Sequence, residues 1–285
     1  LGTDAPRTNN CKMRSSGWEL ELQWRDQIAD FKYGVKFNIS DATAKILEYP
    51  YEGEFDNQSI NSYYNGKKLG EIWGYETKGL AQSDAEMTSW LEKNKPNWGS
   101  NWQAGDVMYK DLNDDNKVTS GAGTLKDHGD LKRIGNSTPR YNFGINLNAE
   151  WKGIDFSVFF QGVMKCDWDP GQGQPYFWGA IGALWQSTCF KEHLDYWSEN
   201  NKNAYYPKPY LNGDAQKNQQ TQTRYLQSAA YMRCKNIQLG YTLPQAITEK
   251  AGMSRVRAYV SCDNLFTLTS LSKIFDPEAL NGGWG

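Results

Sequence analysis

Tyr141-Asn142-Phe143-Gly144-Ile145-Asn146-Leu147-Asn148-Ala149-Glu150-Trp151-Lys152-Gly153 is the stretch whose reading decides the fold. Its apolar members Tyr141, Phe143, Ile145, Leu147, Ala149 and Trp151 alternate strictly with Asn142, Gly144, Asn146, Asn148, Glu150 and Lys152. Successive side chains of a strand point to opposite faces, so one face is greasy and the other polar. Lys152-Gly153 then reads as a tight turn. Beyond it Ile154, Phe156, Val158 and Phe160 face one way and Asp155, Ser157 and Gln161 the other, with Phe159 as the exception.

Working outward, the same period recurs. Trp18, Leu20, Leu22 and Trp24 oppose Glu19, Glu21, Gln23 and Arg25. After a turn over Asp26 to Asp30, Phe31, Tyr33, Val35, Phe37 and Ile39 oppose Lys32, Gly34, Lys36, Asn38 and Ser40. Ile237, Leu239, Tyr241 and Leu243 make a fifth strand, and residues 255 to 269 a sixth, with shorter candidates at Ile72 to Tyr75 and Val107 to Lys110. The fold class is therefore all-β and antiparallel. Strands of this length, aromatic at their ends, match the roughly 9 to 11 residues a tilted strand needs to cross a bilayer. A soluble β-sandwich produces the same alternation, because the period does not say whether lipid or protein covers the apolar face.

Connections alternate between short turns and two very long segments, residues 48 to 139 and 166 to 224. Outer-membrane barrels distribute their loops in this way, whereas such loops sit poorly in a small soluble domain. The spacing predicts a helix over Ser83 to Lys93, opened by the capping-box pattern Ser83-Asp84-Ala85-Glu86, and a second helix over Ala183 to Trp197.

Composition narrows the function. Of 285 residues, 39% are hydrophobic and 14% aromatic, with 12 Trp and 17 Tyr, yet mean hydropathy is -0.76. With 31 basic and 33 acidic residues interspersed, no field gathers nucleic acid, which is excluded as a partner. No run reaches the roughly 18 apolar residues of a membrane-spanning helix; a strand barrel stays open. The five cysteines, Cys11, Cys166, Cys189, Cys234 and Cys262, are odd in number and contain no CxxC pair, so neither a disulfide framework nor a zinc site is signalled. Only His128 and His193 are present, with no nucleophile at a motif spacing, so the chain reads as no enzyme. Gly171-Gln172-Gly173 and Gly121-Ala122-Gly123 lack the context of a phosphate loop.

Two candidate sites remain. Asp111, Asn113 and Asp115 have the oxygen-ligand spacing of a calcium loop, but Asn116 replaces its glycine and Ala122 its closing carboxylate. Asp127 or Asp130 would have to close the site, and the competing reading is an Asx-rich turn. In the second long segment, Trp178, Trp185, Trp197, Tyr205 and Tyr206 are candidate substrate-binding platforms for a sugar or peptide, since ring faces take the apolar side of a ligand and neighbouring amides its polar groups. The competing reading is a loop packing its own rings.

Several runs, in order, resemble the C-terminal third of the SusC/RagA family of TonB-dependent outer-membrane transporters of Bacteroidetes. They include Gly17-Trp18-Glu19-Leu20, Ile72-Trp73-Gly74-Tyr75, Gly105-Asp106, Tyr109-Lys110-Asp111-Leu112-Asn113, Ile134-Gly135-Asn136-Ser137-Thr138-Pro139 and Tyr141-Asn142-Phe143-Gly144. They continue with Phe159-Phe160-Gln161-Gly162, Asp195-Tyr196-Trp197, Asn236 to Pro244, Asn264-Leu265-Phe266-Thr267 and Phe275-Asp276-Pro277-Glu278. The resemblance implies a plugged up-and-down transmembrane barrel of about 22 strands. Residues 1–285 would supply its C-terminal part, without the plug, the earlier strands or the last strand. It also implies energised import of a bulky oligosaccharide or peptide, a SusD-like surface lipoprotein and TonB as partners, and outer-membrane lipid around the wall. The alternative is a soluble carbohydrate-binding all-β domain without transport.

Overall fold

The computed structural model describes residues 9–51, 53–182, 188–210 and 213–280. Six long strands form one antiparallel sheet: β1 (Lys12–Ile28), β2 (Phe31–Glu48), β3 (Arg140–Trp151), β4 (Ile154–Lys165), β5 (Tyr231–Thr242) and β6 (Arg257–Thr269), each hydrogen-bonded to its neighbours in chain order. All six expected strands are present, most of them longer than the alternation alone required. Within the described residues β1 and β6 each have one neighbour, so the wall is an open sheet.

The first hairpin is tighter than expected. Its strands continue to Ile28 and from Phe31, leaving only Ala29-Asp30 as the turn, with Ala29 at φ 51. Ladder hydrogen bonds outrank the weak strand preference of Asp26 and Gln27 here. At the second hairpin both turn residues, Lys152 (φ 47) and Gly153 (φ 87), lie in the left-handed region that two-residue hairpins use.

Register makes each face continuous. Trp24, Val35, Leu147, Val158, Ile237 and Cys262 stand in one row across all six strands. Leu20, Ile39, Phe143, Gly162, Met232 and Leu268 form another on the same face, where a Cβ on Gly162 would lie 2.6 Å from the Phe143 ring. On the opposite face Lys36, Asn146, Phe159, Asn236 and Asp263 align. Phe159 thus sits on the polar side, and Gly144 leaves room beside its ring.

No protein layer covers the apolar face. Trp24 is 62% exposed, Leu22 56% and Val260 76%. Tyr33, Phe37, Phe143, Leu147 and Phe156 share this outer band; Phe143 is buried at 9% exposure, and none of the five joins the molecule's aromatic core.

That core lies at one end of the wall. Residues 49–139 and 166–230 leave the same end of the sheet and fold together into a lobe, while the two tight hairpins and residues 243–256 occupy the other end. Tyr75, Trp90, Val107, Tyr109, Phe177, Trp178, Tyr206 and Tyr225 form the lobe's aromatic centre, with Leu271 and Phe275 joining from beyond β6. The lobe is seated on β2 by backbone bonds from Ile46 to Lys67, Gly66 to Ile46 and Leu69 to Ala44.

Helix α1 (Asp84–Lys93) starts where the sequence placed it: the Ser83 hydroxyl accepts the Glu86 N–H at 3.2 Å, while the Glu86 carboxylate reaches back to the N–H of Gln82. The second expected helix is displaced. Helical turns occupy Pro175–Gly182, broken at Gly179 (φ 44), and only a 3-10 turn at Lys191–Leu194 falls within the expected span; residues 183–187 lie outside the described residues. Pro175 suits a first helical position, and the Gln174 side chain accepts the N–H groups of Tyr176 and Phe177.

One buried ion pair joins the two long segments. Lys217 Nζ lies 2.9 Å from Asp106, both side chains being fully buried, and it also donates to the carbonyls of Ser100 and Asn101. Asp106 accepts further bonds from Tyr210, Asn218 and the N–H of Gln103. Removing one partner of such a pair strands the other charge. Lys217→Met is therefore expected to cost the lobe about 3–5 kcal/mol, read as faster amide hydrogen exchange in residues 75–110 with the wall strands unchanged.

Near the surface Glu76 is held by Lys110 and Lys132. Hydrogen bonds from Lys110 first and Lys132 second bring its carboxyl from an ordinary 4.5 down to about 2. A lowered acid stabilises the fold above its unfolded value, and that contribution is lost as pH falls through the folded one. Thermal melting of the wild type should therefore lose stability between about pH 4.5 and 2 that Glu76→Gln does not lose.

Candidate functional site

The lobe and the polar face of the wall carry the candidate groups. Asn142, Asn146 and Asn148 project from β3 on the polar side and are exposed. Gly34, the register partner of Asn148, leaves space for it: a Cβ there would lie 2.4 Å from the amide oxygen. Ion pairs lace this face, Lys36 with Glu21 at 3.1 Å and Arg257 with Asp155 at 2.5 Å.

Of the five proposed aromatic platforms, three are closed off inside the lobe. Trp178 is 1% exposed, Tyr206 1% and Trp197 4%. The Trp178 indole donates to the carbonyl of Gly171 at 2.9 Å, and its ring meets Tyr225 edge-on at 4.9 Å. Trp197 rests on Gly105, where a Cβ would come within 2.4 Å of the ring. These rings are packing elements here, because a loop this long must bury its own side chains. Trp185 lies outside the described residues.

Of the four that are described, Tyr205 is the one left partly exposed. Its ring leans on Tyr206 (5.0 Å) and Tyr225 (5.5 Å), and its hydroxyl accepts from Gln227 at 3.2 Å. Burial of this ring pushes its hydroxyl above the ordinary value. It lines an open groove of about 480 Å³ with Arg224, Gln227, Ser228, Ser270 and Ser272. The Arg224 guanidinium is held there by the carbonyls of Ala204 and Tyr205. Neither Arg224 nor the serines carried a local signal in the sequence; the groove exists only because residues 192–228 and 270–272 meet.

His193 is structural. Its Nδ1 accepts the N–H of Phe190 at 3.1 Å, so Nε2 carries the proton and faces the carbonyls of Tyr176 and Phe177. It occupies the space a side chain on Gly179 would need.

Asp111, Asn113 and Asp115 do share one loop, with their oxygens turned to the backbone. Asp111 accepts the N–H groups of Asn113, Asp114 and Asn116, Asn113 that of Asp115, and Asp115 that of Lys117. Asp130 is spent on the N–H groups of Leu112 and Thr119, and Asp127 on that of Ala122. Burial, with two backbone hydrogen bonds opposing it and the charges of Asp111 and Asp115 adding to it, leaves the Asp130 carboxyl above its ordinary value. This is the geometry of an Asx turn. Among the described residues no group of three acidic, His or Cys side chains gathers.

No family model matches the chain. Curated relatives do. TonB-dependent receptor P3 of Formosa agariphila (strain DSM 15362) is 26% identical over 98% of the chain, which spans 26% of that protein. TonB-dependent receptor P39 of the same organism is 22% identical over 98% of the chain, covering 29% of its own length. The chain thus spans a quarter to under a third of these relatives. Among solved structures, that of the RagAB peptide transporter superposes on 96% of the chain with a TM-score of 0.68 at 22% identity, using 28% of its own chain. The RagAB importer in its "open-open" state gives 0.64 over 94%. Alternating faces, long connections gathered at one end and matches along nearly the whole length point the same way: in sequence the chain is similar to TonB-dependent receptors, and in fold to the RagAB transporter.

Proposed function

We propose that this chain forms the C-terminal part of the wall and outer loops of a transmembrane β-barrel, the importer of a bulky nutrient across the outer membrane of a Bacteroidetes-like bacterium. The observation that carries this reading is the apolar band of the six-strand wall, continuous across every strand and bare of protein. Water does not tolerate such a face; lipid does. The polar face, with Asn142, Asn146 and Asn148, then lines the lumen, and the lobe stands outside the membrane. No reaction is assigned to any residue.

Substrate and partners follow as further parts of the proposal. The cargo is an oligosaccharide or a peptide, met in this segment at the Tyr205 groove. A SusD-like lipoprotein sits over the lobe, and TonB engages parts of the protein beyond this chain. The names of the relatives support TonB dependence, and peptide transport by RagAB supports the peptide arm. A soluble carbohydrate-binding domain is disfavoured, since it needs the outer band turned into a shared core.

Full-length protein recovered from outer membranes in mild detergent should bring down a surface lipoprotein and a glycan or peptide identifiable by mass spectrometry; recovery as a lone soluble protein overturns the reading. In that protein Tyr205→Ala should weaken ligand retention about tenfold, as loss of one aromatic contact does, and Tyr205→Phe, which keeps the ring packed on Tyr206 and Tyr225, should retain most of it.

Charge scanning tests the orientation separately. Leu147→Arg on the apolar face should cost about 2–4 kcal/mol if the residue lies near mid-bilayer, seen as loss of the heat-modifiable barrel band on gels. Asn146→Arg, one residue away on the polar face, should assemble normally; the reverse pattern would place lipid on the other side.

A further inference from the structure

Beyond β6 the chain does not leave the molecule but turns back as a strap, residues 270–280, that touches both lobe and wall. On the lobe side Leu271 (3% exposed) and Phe275 (8%) enter the aromatic core, Phe275 meeting Trp168 at 4.7 Å. The N–H of Ser272 donates to Gln227 at 2.9 Å. On the wall side the contacts are ionic. Arg233, on the polar face of β5, donates to Thr267 of β6 (2.7 Å), to Asp276 (2.6 Å) and to Glu278 (2.6 Å). Lys235 adds a 2.9 Å contact to Glu278.

Lys235 reaches the strap because β5 is irregular there. The ladders to β4 and β6 both lose register between Cys234 and Asn236: against β4 Lys235 is the extra residue, and against β6 it is unpaired opposite Asn264 and Leu265. A bulge of this kind re-aims a side chain.

The ionic joint inside the lobe and the ionic joint at the strap differ in kind. Asp106 and Lys217 are fully buried, a permanent joint between the lobe's own halves. At the strap the Arg233 side chain is only 10% exposed, but Asp276 (50%), Lys235 (28%) and Glu278 (24%) reach solvent, so water and salt meet these pairs from one side. Exposed ion pairs are individually weak and are screened by salt. With one cation buried and the other three groups wet, salt weakens this joint more than it weakens the fully buried Asp106–Lys217 pair.

We propose that Arg233 and Lys235 form, with Asp276 and Glu278, a releasable ionic latch by which the 270–280 strap ties the lobe to the polar face of the wall. When it opens, the lobe stays seated on β2 and moves about that joint against a wall that stays intact. The latch is independent of which substrate the transporter carries.

Hydrogen exchange on the full-length transporter in detergent tests this, comparing low salt with about 1 M NaCl, where charges are screened within roughly 3 Å. Amides of 270–280 should exchange about tenfold faster at high salt, with β3 to β5 unchanged. Glu278→Gln should show the fast rate already at low salt and lose the salt dependence. Lys235→Met, a milder change at a half-exposed site, gives the same readout if Glu278→Gln fails to assemble. Salt-independent exchange of the strap in the wild type, or strap and wall accelerating together, would overturn the latch.

Discussion

A six-strand sheet with one face predominantly apolar along its middle rows and largely exposed imposes the constraint on which the rest depends. Trp18, Leu20, Leu22 and Trp24 on β1 and Leu239 and Val260 on β5 and β6 are all largely exposed. In water so continuous a patch drives association. In a bilayer it needs no cover, while every backbone N–H and C=O inside the lipid must be paired, which antiparallel ladders achieve strand by strand. The charged and amide side chains are left to the other face, and all bulky irregular structure is forced to the strand ends.

The lobe is the consequence at one end. It cannot use the wall's apolar face as its core, so it builds one from its own aromatics, with Trp178, Tyr206, Tyr225 and Phe177 packed edge to face. The ring clusters gain from their quadrupole geometry as well as from burial. Polar groups caught among them are satisfied internally: Asn218 bridges Asp106 and the N–H of Val107, and Tyr109 donates to the carbonyl of Lys217. These bonds run between residues about a hundred positions apart, which is why two separate connections behave as one body.

Between lobe and wall the joints are fewer and wetter. The β2 end supplies backbone bonds to residues 66–69, and the strap supplies charges. A junction held by fewer and wetter contacts is the physical form that local yielding takes.

Period-2 alternation was strong enough for the sequence alone to determine the six strands, their faces, the Lys152-Gly153 turn and the Ser83 start of α1, since each rests on local chemistry within a few residues. The likeness to TonB-dependent receptors was legible in the same way, as ordered short runs. Tertiary structure alone decided what the loops do with their aromatics. A tryptophan on a polar loop reads alike whether it meets a ligand or a neighbouring ring, and only long-range packing put Trp178, Trp197 and Tyr206 inside while leaving Tyr205 an edge. The same holds for Asp111, whose oxygens go to N–H groups of its own turn, and for Arg233 and Lys235, whose partners lie about forty residues on. Side-chain period is written locally; the partner a side chain finds is set by closure of the whole chain.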